Sequence, residues 1–264
     1  MNSTIEAMSL QLTAVRGVRS VALGGSRARG AHRADSDWDL GVYYRGPLDV
    51  EALAALAAEV TGAPVDVAGP GGWGPWVDGG AWLSVDGEPV DWILRDLDRV
   101  EAVWADCRAG RYETGTQPGH PLGFWSPAYA GEVALCRVLA DADGALTALR
   151  AQTHEYPERL RRALIDASWE ADLSVAAARK SVGSGDVLHV SLCLARAFGV
   201  LVQSLHAYER AWCLNEKGAL RTASSSSAAP ADFAAEVAAT LRALDADAVE
   251  RAGALVAEVR ARIG

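Results

Sequence analysis

The sequence predicts an α+β protein, a small mixed β-sheet with packed helices followed by an all-helical bundle. Three observations carry this. Short apolar runs bounded by glycine, proline and aspartate crowd residues 18–94, the pattern of brief strands joined by turns. Two of these runs are separated by Asp86-Gly87, a strong hairpin signal. From about Ser126 onward strand signals vanish, and alanine-rich segments with helical apolar spacing replace them. Two domains are expected, residues 1–125 and 126–264, each of ordinary size.

Taken in order, residues 5–16 read as an opening helix and Val18–Leu23 as the first strand. That strand delivers Gly24-Gly25-Ser26 to a helix over Arg27–Ala31, with Ser26 suited to cap it. Asp39–Tyr44 is the second strand. Pro47–Val60 has helical spacing through Leu48, Leu53, Leu56 and Val60, and Gly62 ends it. Val65–Ala68 is a short third strand. Residues 69–80 are turn material, in which Trp73 and Trp76 form a lid, a stacking wall or the packing under a long loop. Ala81–Val85 and Glu88–Leu94 make the hairpin. Beyond it, Pro127–Ala140, Pro157–Val182, Asp186–Trp212 and 231–263 read as amphipathic bundle helices, and Ser224–Ser227 as a flexible connector.

Composition narrows the function. The net charge is −9, and lysine occurs only at Lys180 and Lys217. This balance argues against broad nucleic-acid binding, which needs many phosphate-neutralising cations, and is compatible with a cationic small-molecule substrate. No apolar run reaches the ~18 residues of a membrane span. The N-terminus lacks a basic start followed by an apolar core, so no signal peptide and no membrane partner are expected. Cys107, Cys136, Cys193 and Cys213 are scattered without a C-x-x-C pair and read as reduced thiols, which points to a cytoplasmic setting.

The chemistry lies in Gly24-Gly25-Ser26 and Asp37-x-Asp39. A glycine turn after an apolar strand frees backbone N–H groups to face phosphate oxygens. Asp37 and Asp39, two residues apart, fall on one strand face, where two carboxylates repel unless a hard cation such as Mg²⁺ lies between them. Together they read as a phosphoryl- or nucleotidyl-transfer site.

This order of residues resembles the polymerase-beta-like nucleotidyltransferase superfamily. The fuller Gly-Gly-Ser-Arg-Ala-Arg-Gly string and Leu214-Asn215-Glu216-Lys217-Gly218 are similar to bacterial aminoglycoside and lincosamide nucleotidyltransferases, the catalytic signature covering about residues 20–95. The resemblance implies a third carboxylate on a neighbouring strand. Asp91 fits, as a charge inside an apolar strand. It could instead pair with Arg95, and Asp96 and Asp98 compete from an apparent helix start. The implied mechanism uses two Mg²⁺ ions held by Asp37, Asp39 and Asp91, with a nucleoside triphosphate, ATP foremost, as co-substrate. Gly25 and Ser26 would hold its phosphates, and Arg27 is preferred among Arg27, Arg29 and Arg33 to meet them. The general base is Asp91 or Glu170, the latter otherwise a surface glutamate. Lys217 either reaches the triphosphate or closes a helix before Gly218. His120 reads as a loop histidine between the domains. The expected reaction moves AMP onto a hydroxyl of a small molecule such as an aminoglycoside or lincosamide, releasing pyrophosphate. The alternative is a toxin-like or regulatory transferase acting on a protein or tRNA. Some relatives pair across subunits, so a homodimer is compatible with the resemblance.

Overall fold

The computed structural model describes residues 3–30, 33 and 36–264, which divide into two compact units. The first runs through Ala105 and adds Thr114–Glu155; the second holds Asp106–Glu113 and Tyr156–Gly264. The division expected at residue 125 differs from this, because residues 127–155 pack with the sheet.

The first unit centres on five strands in the order β3-β4-β2-β1-β7: β1 (Val18–Leu23), β2 (Trp38–Tyr44), β3 (Gly80–Val85), β4 (Glu88–Asp96) and β7 (Arg137–Asp141). Only β2 and β4 pair in parallel. One face is apolar, with Val21, Leu23, Leu40, Val42, Val90 and Trp92 buried against α1 (Ser3–Ala14) and α3 (Val50–Thr61). Asp49 caps α3 by accepting from Ala52 N–H, so the helix starts later than Pro47; Gly62, at φ 74°, ends it as expected. A four-residue α2 (Gly25–Ala28) follows β1. The far end of the helix expected there, Ala31, lies outside the described residues.

Two expectations fail for identifiable reasons. Val65–Ala68 makes only one bridge, Ala68 to Gly80, because Pro64 and Gly69-Pro70 crowd it on both sides. Helix α5 (Pro127–Leu135) stops early, and the rest of the predicted segment becomes β7, paired with the otherwise open edge of β1. Sheet pairing there overrides a weak local helical preference. Between them, α4 (Leu97–Ala109) leads to a small hairpin, β5 (Thr114–Gln117) and β6 (His120–Trp125), and α6 (Ala145–Thr153) follows β7.

The second unit is helical: α7 (Glu158–Asp166), α8 (Trp169–Val182), α9 (Val187–Tyr208), α10 (Ala219–Ala223), α11 (Phe233–Ala243) and α12 (Ala246–Ile263). Two predicted long helices are each broken. One interrupts at Ala167-Ser168, the other at Leu244, whose φ of 52° no helix accommodates. α9 is long and apolar enough to span a bilayer, and its Val190, Leu194, Leu201 and Leu205 are buried within this unit's packing. The serine run is pinned: the Glu209 carboxylate accepts from Ser226 Oγ and from Ser227 N and Oγ at 2.7–2.9 Å. All four cysteines are free.

Candidate active site

The site grows from the sheet face that the apolar core does not use. Alternation along β2 and β4 sends Leu40, Val42, Val90 and Trp92 into the core and Asp39 and Asp91 to the opposite face. The parallel ladder sets Asp39 beside Asp91, and the hairpin sets Asp91 beside Trp82. Trp82, Asp91 and Asp39 thus form one row across three strands.

The glycine turn closes on this row. Gly24 N–H donates to the Asp39 carbonyl at 2.7 Å. Gly25 has φ 61°, and a Cβ built there would lie 2.7 Å from Cγ of Asp39 and closer still to Oδ2. Glycine alone meets both demands. Ser26 does not cap α2 as expected: the helix begins at Gly25 with Gly24 at its cap position, so Ser26 falls inside the first turn.

Asp37 stands just before β2 and is exposed, not on the strand with Asp39 as its spacing suggested. Arg27 holds this segment. Its Nε donates to the carbonyls of Ser36 (2.9 Å) and Asp37 (3.2 Å), its Nη2 to Ser36 (2.6 Å), and its guanidinium stacks 4.1 Å over Trp38. The arginine expected to meet a triphosphate is therefore engaged as a clasp on the chain that presents Asp37.

Burial, then the charges of Asp39 and Asp37, push the Asp91 carboxyl up to about 6. Arg95 is not its partner: that guanidinium makes a two-pronged pair with Glu132, both contacts at 2.7 Å. Asp96 is spent as the cap of α4, accepting from Asp98 and Arg99 N–H, and Asp98 faces Arg45 at 3.4 Å. Asp91 is left among like charges. The donor set, oxygen only and mutually repelling, suits a hard divalent cation. In this side-chain arrangement no three His, Cys, Asp or Glu groups among the described residues are gathered closely enough to hold a metal. The fit is therefore one of donor type and strand register, short of a closed coordination shell.

The remaining candidates lie elsewhere. Glu170, in the second unit, is held by Arg196 at 2.6 and 3.0 Å. Lys217 is an exposed residue of the second unit and, with Gly218, leads into α10, whereas α9 ended at Tyr208. His120 belongs to β6, edge-on to Phe124 at 5.1 Å, and not to an interdomain loop. Trp76 is buried against Phe124, while Trp73 stacks on Trp82 at 4.3 Å. Sequence reasoning passed over Trp82, although counting back from the Asp86-Gly87 turn places it opposite Asp91.

The nucleotidyltransferase domain matches residues 8–71, which contain Gly25, Ser26, Asp37 and Asp39, and a domain of unknown function matches 131–217. No curated protein matches this chain significantly. Among solved structures, a nucleotidyltransferase-like protein from Exiguobacterium sibiricum is similar at 12% identity, over 98% of this chain and 74% of that one, with a TM-score of 0.48. The chain carries a nucleotidyltransferase domain of the polymerase-beta-like kind and is a transferase. Such domains work on a nucleoside triphosphate with a divalent metal.

Proposed function

We propose that this enzyme moves AMP from ATP onto a hydroxyl of a small cationic molecule, such as an aminoglycoside or lincosamide, in a Mg²⁺-dependent reaction. The observation that supports this reading best is the Asp39–Asp91 pairing with the Gly25 turn seated on Asp39. Asp37, Asp39 and Asp91 would hold the metal, which supplies charge neutralisation at the phosphates when bound. The turn's N–H groups and Ser26 orient the β- and γ-phosphates. The acceptor oxygen forms a bond to the α-phosphorus as the bond to the bridging oxygen breaks, and pyrophosphate leaves. The hydroxyl proton passes to a carboxylate. Asp91 is favoured over Glu170 as that base, since Asp91 lies beside Asp39 in the row whereas both oxygens of Glu170 are occupied by the Arg196 guanidinium. The acid-rich composition and the three carboxylates favour a cationic acceptor.

The test is pyrophosphate release from each nucleoside triphosphate with Mg²⁺, across aminoglycosides, lincosamides and total tRNA, with products weighed by mass spectrometry. A small molecule gaining one AMP unit is the expected result. Label entering RNA or protein would replace this reading with the toxin-like or regulatory one.

A further inference from the structure

The row that holds Asp39 and Asp91 continues into an aromatic pair. Trp82 is the Cα partner of Asp91 and points to the same face, yet it remains 68% exposed on the edge strand. Trp73 stacks on it with centroids 4.3 Å apart and planes 14° from parallel. Gly80 makes room for this, since a Cβ there would come within 2.9 Å of Trp73 Cη2.

The loop carrying Trp73 is built rather than loose. The buried Gln117 side chain accepts from Trp76 and Val77 N–H and donates to the Trp73 carbonyl, each at 2.9 Å. Asp78 accepts from Gly71 N–H at 2.8 Å, and the Tyr129 hydroxyl donates to the Trp76 carbonyl. A fixed tryptophan thus backs a second one whose remaining surface faces solvent beside the carboxylates.

Position decides what rests there. Across the sheet the order is glycine turn, Asp39, Asp91, Trp82. Strands are ~4.8 Å apart, so Trp82 stands one strand beyond Asp91, two beyond Asp39 and three beyond β1, which delivers the turn. With phosphates at the turn and transfer between the two carboxylates, the far side belongs to the acceptor. We infer that Trp82, braced by Trp73, is the platform for the acceptor, and that the acceptor carries its hydroxyl on a saturated ring with an apolar C–H face and cationic substituents. This rests on the transferase reading above. Indole supplies the flat apolar surface such a ring prefers, and a cation near its face adds attraction.

The experiment compares the full-length protein with Trp82→Ala and Trp82→Phe. Binding is measured by calorimetry, with the Mg²⁺ complex of α,β-methylene-ATP as one probe and kanamycin, lincomycin and 2-deoxystreptamine as the others. Loss of about tenfold or more in ring-compound affinity in W82A is expected, with W82F restoring most of it and nucleotide affinity unchanged within about twofold. A thermal melt of each variant separates this from misfolding. Weakened nucleotide binding in W82A would assign the platform to the base and overturn the inference, as would unchanged binding of every probe or failure of every ring compound to bind wild type. Failure of the nucleotide to bind wild type would instead strike the transferase reading.

Discussion

Two rows cross the same face of the central sheet four positions apart, and they are built in opposite ways. In the lower row, Arg95 of β4, Tyr43 of β2, Ser20 of β1 and Asp141 of β7 are ladder partners. Every charge there is answered. Arg95, 4% exposed, is held by Glu132; Ser20 donates to Asp141 at 2.7 Å, and Thr147 donates to it twice, at 2.6 and 2.8 Å. Burial raises the Asp141 carboxyl, but those hydrogen bonds outweigh it and hold the group below its usual range. In the upper row Asp91 faces Asp39 and Asp37 and is pushed the other way. The same strands, with the same alternation, make one row closed by ion pairs and hydrogen bonds and one in which Asp91 lies among like charges. The contrast separates polar groups that stabilise the fold from those available for chemistry.

The largest expected effect tests the upper row. Asp91→Asn should lower pyrophosphate release about a thousandfold while leaving the fold intact, since it removes a like charge and, among the described residues, breaks no ion pair. The pH dependence gives its signature. A carboxyl whose folded pKa is raised from 3.8 to about 6 stabilises fully below 3.8 and loses that contribution as pH rises through about 6. In chelator, the melting temperature of wild type should therefore fall relative to D91N between acidic and neutral pH, and Mg²⁺ should recover it in wild type alone. Parallel pH profiles for the two proteins would dissolve the distinction between the rows.

The lower row should behave in the opposite sense. Glu132→Ala strands a buried guanidinium, and breaking such a pair costs about 3–5 kcal/mol. Urea unfolding should show that loss, while the protein still folded keeps its affinity for α,β-methylene-ATP. A loss under about 1 kcal/mol would mean that Arg95 finds water or another partner, and that the lower row is less closed than its geometry implies.

How much of this contrast is visible in the sequence depends on how local each part is. The glycine turn and Asp37-x-Asp39 lie within one short stretch, and the strand before them was readable from Val18–Leu23 to the residue. The hairpin is also local: Asp86 and Gly87, at φ 53° and 82°, fix a two-residue turn from which the Trp82–Asp91 pairing follows by counting. The Asp39–Asp91 pairing is different in kind. It joins parallel strands through a crossover that includes α3, and no spacing in the chain states its register. The lower row was illegible because β7 hides within an alanine-rich stretch and acquires strand character only by pairing with β1. The helix breaks at Ala167-Ser168 and Leu244 were likewise masked by continuous apolar spacing.

A third effect, about a hundredfold, concerns how the turn meets the upper row. Gly25→Ala must fit a Cβ where the Asp39 carboxylate lies and hold φ 61° besides. Left-handed strain in a non-glycine residue costs about 1–3 kcal/mol, and here any relief displaces Asp39. Activity should fall through kcat, and chemical denaturation should show only that modest loss. Near-normal turnover would mean that the turn and Asp39 move apart in the working enzyme.

The smallest effect separates two roles for Arg27. If it acts as the clasp seen here, on the carbonyls of Ser36 and Asp37, Arg27→Met should reduce kcat about tenfold by loosening Asp37 and leave KM for ATP nearly unchanged. If it binds the triphosphate, KM for ATP should rise by a similar factor. Methionine keeps apolar contact with Trp38, so the comparison isolates the guanidinium. A kcat effect alone would place Arg27 with the groups that shape the upper row, although it hydrogen-bonds to backbone carbonyls; a KM effect would make it a cation that the chain itself brings to the nucleotide.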